Sequence, residues 1–125
     1  MEGFPENVKL LSTQRFIDGG RSSGNFENFN LAIHVNDNIE NVIANRKILK
    51  DRFNLPFEPV WIKQTHSSIC IDAALTNTAI EADASYSSKS GIVCGIMTAD
   101  CLPVFVSKKN GSMVGIAHAG WRGLI

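Results

Sequence analysis

Gly91-Ile-Val-Cys-Gly-Ile-Met-Thr-Ala-Asp-Cys-Leu-Pro-Val-Phe-Val-Ser107, the turn Lys108-Lys-Asn-Gly111, and Ser112-Met-Val-Gly-Ile-Ala-His-Ala-Gly-Trp-Arg-Gly123 form the stretch on which the reading of this chain turns. It holds three β-rich, largely apolar runs. Chemically capable residues stand at their ends: Asp100 and Cys101 after the first, His118 and Arg122 after the last. Strands hold polar groups at their ends with little freedom, as a reaction centre requires. Asn-Gly at 110–111 suits positive φ, so Leu102 to Ser107 and Ser112 to Ala117 are expected to pair as an antiparallel hairpin.

Working outward, Val60-Trp-Ile-Lys-Gln-Thr-His66 alternates apolar and polar residues and predicts a strand that delivers His66 near its end. Ser67 to Asp72 continues as a second short strand holding Cys70, and Ala73 to Ala82 reads as loop. Asp37 or Asn38 can cap a helix in which Ile39, Val42, Ile43, Leu49 and Phe53 fall largely on one face. Pro56 and Pro59 end that pattern, because proline lacks a donor and disfavours helix before it. Asp18 to Asn30, rich in Gly, Ser and Asn, reads as loop: a lid, an anion cradle or a plain connection. Val8 to Phe16 can be drawn as a strand ending in polar groups. The pattern predicts an α/β (α+β) fold, a mixed β-sheet layered with flanking helices, in one domain over residues 1–125.

Hydrophobic residues make up 44% and charged residues 19%, with zero formal net charge. That balance suggests neither disorder nor a nucleic-acid surface. No apolar run approaches the roughly 20 residues of a membrane span, and the N-terminus lacks a basic start before an apolar segment. A soluble, cytoplasmic protein is expected. The three cysteines, Cys70, Cys94 and Cys101, have no CxxC spacing, which argues against a disulfide framework or a zinc ribbon.

Three histidines, His34, His66 and His118, narrow the choice of ligands and bases. Imidazole and thiolate suit Zn²⁺, and three protein ligands leave a fourth position for water or substrate. A metal there would hold Cys101 as thiolate and lower the pKa of bound water. Without metal, Cys101 would be a nucleophile, His118 or His66 its base and Asp100 the orienting group. Asp100 then needs a bulge or turn, since strand neighbours point to opposite faces. The structural alternatives are a buried thiol for Cys101 and imidazoles satisfied by backbone for the two histidines.

Thr98-Ala-Asp-Cys-Leu-Pro-Val104 followed by Gly115-Ile-Ala-His-Ala-Gly-Trp-Arg-Gly123 resembles the paired signature of the bacterial polyphenol-oxidase-like family of laccase-domain proteins, also described as multifunctional purine nucleoside enzymes. Arg15 with Gly19-Gly20, Asn30-Leu31, His34-Val35, Asp37 and Asn45-Arg46 resemble its N-terminal pattern, and Gln64-Thr-His66 its Gln-x-His element. The likeness covers nearly the whole chain. It implies a zinc site at His66, Cys101 and His118, which would also be the catalytic group. It implies phosphorolysis of adenosine, inosine, guanosine and methylthioadenosine, and deamination of adenosine. Arg15, Arg46 or Arg122 would hold phosphate by forked hydrogen bonds, and Asn30 and Gln64 would contact ribose or base.

Family members run to about twice this length, a scale still within one domain. The resemblance therefore implies a truncated version of the laccase-domain fold, incomplete at its C-terminal side, where a homo-oligomer would cover the exposed sheet. Two other readings stand beside the zinc enzyme: a copper-dependent polyphenol oxidase, and a catalytically silent paralogue acting through assembly. Three histidines are too few for a multicopper centre.

Overall fold

The computed structural model describes residues 3–33, 35–75, 80–98 and 101–119. The chain divides into two compact units, Leu11–Pro56 and a second composed of Met1–Leu10 with Phe57–Ile125.

In the Leu11–Pro56 unit, helix α1 spans Ile39–Arg52. Asn38 starts it by accepting the Glu40 amide on its side-chain oxygen at 2.8 Å, which satisfies one of the free donors of the first turn. Asn54 ends it. With φ at 53° it takes the left-handed conformation, and Leu55 N donates back to Lys50 O at 3.0 Å in a Schellman-type stop. Val42 and Leu49 are buried. Ile39 and Ile43, expected on the same buried face, are exposed instead, and the fully buried position between Val42 and Leu49 belongs to the polar Asn45.

Asn45 organises the Gly-rich loop. Its Nδ2 donates to Ser22 Oγ at 3.0 Å and to Asn30 O at 2.8 Å, while its Oδ1 accepts Arg21 N at 2.8 Å. Asp37 completes the network, accepting from Ser22 Oγ and from Asn30 Nδ2. Gly20 is required by close approach: a Cβ there would lie 2.1 Å from Asn28 Oδ1. The segment expected as a strand over Val8 to Phe16 forms none. It is tethered by single bonds, such as Phe29 N to Arg15 O at 3.0 Å, and no ladder forms along it.

The other unit carries two sheets. Strand β1 (Val60–Trp61) pairs in parallel with β4 (Cys94–Gly95). A four-stranded mixed sheet runs β2 (Cys70–Asp72), β3 (Ala84–Ser87), β6 (Val114–Ala119), β5 (Leu102–Ser107). Its β2/β3 pair is parallel and the other two pairs are antiparallel. The predicted hairpin is the β5/β6 pair, with Leu102 opposite Ala119 and Ser107 opposite Val114. Its return strand starts two residues later than expected, because Lys108 N bonds Met113 O and draws Ser112 and Met113 into the turn, where Gly111 has φ of 72°.

Small residues permit the packing. A Cβ on Gly95 would lie 3.1 Å from the Trp61 ring, and one on Gly115 would lie 3.0 Å from Val106 Cγ2. Trp61, Ile62, Ala73 and Ala82 are buried, and burying the Trp61 ring removes one of the largest apolar surfaces in the chain from water. The strand predicted from Val60 to His66 is cut to two residues. After the Lys63 bridge to Glu81, the backbone leaves the sheet to wrap a carboxylate.

Candidate metal centre

That carboxylate is Asp83, 3% exposed and placed just before β3. Its Oδ1 accepts Thr65 N at 3.0 Å, Ser67 N at 2.7 Å and Ser67 Oγ at 2.8 Å. Its Oδ2 accepts His66 N at 3.1 Å and contacts His118 Nδ1 at 2.8 Å. Consecutive amides around one anion form a concave nest, and His66 sits within it at φ of 61°. A non-glycine residue held left-handed costs about 1–2 kcal/mol, a cost the ring of hydrogen bonds offsets. Burial pushes the Asp83 carboxyl up, but hydrogen bonds from His118, Ser67 and Thr65 outweigh it and bring it down to about 2.

His118 lies on β6, and its own amide donates to Asp83 O at 2.7 Å. Its side chain is only 6% exposed. Cys101 immediately precedes β5, the hairpin partner of β6. The turn at 65–67 and the hairpin thus bring together residues far apart in sequence. The imidazole nitrogens of His66 and His118 and the Cys101 sulfur all lie within 4.8 Å of one another. The two rings meet edge-on, with centroids 5.1 Å apart at 66°.

This donor set fits a metal. Tetrahedral zinc with N and S ligands sets its donors about 3.5 Å apart, a spacing close to the 4.8 Å within which the three atoms lie. Asp83 engages His118 through Nδ1, so a metal held by this ring would take Nε2, the carboxylate–histidine arrangement common at zinc. Burial pushes the Cys94 thiol up, away from the thiolate form that ligation needs.

The remaining expected site residues are engaged as follows. Gln64 bonds the Met97 peptide through both side-chain heteroatoms. Arg15 donates to Glu27 O at 3.0 Å and Asn25 O at 3.3 Å, and its guanidinium stacks on Phe16. Asn30 bridges Ala32 and Asp37. Arg46 Nε donates to Leu31 O at 2.9 Å. Arg122, Asp100 and His34 lie outside the described residues. Asp83 escaped the sequence reading. Its one signal was a carboxylate set between alanines at a strand start, where burial demands partners.

The fold and the donor cluster define an α/β protein with a candidate metal centre. The chain belongs to the family described as multi-copper polyphenol oxidoreductase laccase, which matches residues 9–125. It is similar to the purine nucleoside phosphorylase of Haemophilus influenzae, with 42% identity over 96% of this chain and 48% of the relative. It is likewise similar to purine nucleoside phosphorylase YfiH of Escherichia coli, with 44% identity over 96% of this chain and 49% of the relative. Among solved structures, Neisseria meningitidis protein NMB0706 superposes with a TM-score of 0.86 at 44% identity, covering 98% of this chain and 49% of that one. The chain spans about half the length of the curated relatives it matches. Among the described residues no helix is long and apolar enough to cross a membrane.

Proposed function

We propose that this chain carries the metal-binding half of a zinc-dependent purine nucleoside phosphorylase, with His66, Cys101 and His118 as both ligands and catalytic centre. The observation that carries the reading is the convergence of two imidazoles and a thiol within 4.8 Å. The names of its relatives support nucleosides and phosphate as substrates. Adenosine, inosine, guanosine and methylthioadenosine are the proposed nucleosides, and deamination of adenosine the proposed second activity. Zinc, when bound, supplies a Lewis acid at a position open to solvent or substrate. His118 is held by Asp83 and presents one fixed nitrogen. His66 is the exposed member of the three.

Phosphate carries charge that forked hydrogen bonds from arginine match, with Arg15, Arg46 and Arg122 as candidates. Asn30 and Gln64 are the proposed polar contacts to nucleoside. The protein is proposed to act in the cytoplasm, as one laccase-like domain that is completed by further chain or by a second copy. The family description favours copper as the competing metal, with phenols as substrates. Two histidines and one cysteine favour zinc.

Metal analysis by mass spectrometry of the purified chain separates the two. Incubation with adenosine and phosphate, followed by chromatography for adenine, ribose 1-phosphate and inosine, tests the activity. Zinc at one equivalent with adenine release is the expected result. Copper with phenol oxidation would replace this reading, and bound zinc without turnover would leave a silent module.

A further inference from the structure

We propose that Asp83 is the positioning residue of the metal centre, fixing His118 as the Nδ1–H tautomer and His66 in its left-handed turn through a single carboxylate. Its Oδ2 is shared by the backbone of one histidine and the ring of the other, at 3.1 Å from His66 N and 2.8 Å from His118 Nδ1. Its Oδ1 gathers the flanking amides of Thr65 and Ser67. A carboxylate that receives these hydrogens is an acceptor only, so the proton between Asp83 and His118 belongs to Nδ1. Nε2 then carries the lone pair. Moving the carboxylate would disturb both imidazoles at once. The effect on metal rests on the proposed ligand role of His66, Cys101 and His118, whereas the tautomer does not.

Asp83→Asn separates position from shape. The amide oxygen can still receive Thr65 N, Ser67 N and Ser67 Oγ, but an NH₂ replaces the oxygen that faces His66 N and His118 Nδ1. That NH₂ donates to Nδ1 and forces the ring proton onto Nε2, the nitrogen needed for ligation. Loss of an outer-shell partner of this kind lowers metal affinity by about 10–100-fold.

The experiment uses the whole chain, metal-free and labelled with ¹⁵N-histidine, with the tautomer read from long-range ¹H–¹⁵N correlations and zinc affinity from competition with a chromophoric chelator. The expected result is Nδ1–H in the unsubstituted chain, and Nε2–H with weaker zinc binding in D83N. Asn45→Ala serves as a destabilised control that keeps its zinc affinity. Nε2–H in the unsubstituted chain, an unchanged tautomer and affinity in D83N, or an equal affinity loss in N45A would each overturn the proposal. Should D83N fail to fold, the tautomer of the unsubstituted chain decides alone. Absence of zinc binding together with Nδ1–H would sink the ligand reading and leave only the hold of Asp83 on the His118 tautomer standing.

Discussion

The side-chain amide of Gln64 and the peptide of Met97 close a two-bond ring: Nε2 donates to Met97 O at 2.6 Å, and Met97 N donates to Oε1 at 2.7 Å. The side chain here mimics a strand partner, joining the segment after β1 to the segment after β4 just where their ladder has ended. Gln64→Leu leaves a part-buried amide and carbonyl without partners, which costs about 1–3 kcal/mol. Urea unfolding should register that loss with the slope unchanged. A Gln64→Leu chain as stable as the parent would mean the ring contributes nothing, and would leave substrate contact as the residue's principal role.

Asn45 predicts a larger effect in the helical unit. It is fully buried and makes three hydrogen bonds, to Ser22 Oγ, Asn30 O and Arg21 N. Truncation to alanine takes the side-chain partner from Arg21 N and Asn30 O, while Ser22 Oγ keeps its bond to Asp37, for an expected cost of about 2–4 kcal/mol. Asn45→Asp has the same volume yet sets an oxygen against Asn30 O, so it should not rescue stability near neutral pH. A loss below about 1 kcal/mol in both variants, within reach of ordinary surface substitutions, would show that water replaces the network.

These two residues also mark what the sequence could convey. The hairpin was legible because turn chemistry at Asn110-Gly111 and apolar runs on either side are local signals. Helix α1 was legible from its cap and its 3.6-residue period, although that period implied burial of Ile39 and Ile43, which are exposed. The two imidazoles and the thiol were singled out by their scarcity and by a family signature. Asp83 was not, and Asn45 and Gln64 stood out only as parts of that signature, without the bonds they make, because each acts on backbone amides or carbonyls far along the chain. Such contacts leave no periodic trace. The shortened β1 has the same origin: alternation continued to His66, but Asp83 captured the amides of residues 65–67 from any ladder.

Asp37 sets a pH dependence for the helical unit. The Ser22 hydroxyl holds its carboxyl below the ordinary 3.8, opposed by burial and aided by Asn30 and the Asn38 amide. A carboxyl depressed in the folded state contributes stability that is fully present above its unfolded pKa and is lost as pH falls through the folded value. Urea midpoints of the parent chain and Asp37→Asn should therefore differ most above pH 5 and converge as the pH is lowered below about 4. A gap that stays constant from pH 6 to pH 3 would remove the charge of Asp37 from the account.

Cys101 carries the sharpest chemical prediction, because its thiol is the one sulfur in the donor cluster. On the proposed function, Cys101→Ala leaves two imidazoles with no soft third ligand, so zinc affinity should fall by more than the roughly 100-fold expected for an outer-shell partner, and any nucleoside turnover should go with it. His118→Ala should do the same. Replacing His34 should leave metal content unchanged. Mass spectrometry of metal per chain, on protein purified in parallel, separates these outcomes. Full zinc occupancy in Cys101→Ala would refute the ligand assignment, and loss of zinc on replacing His34 would place the wrong imidazole at the metal.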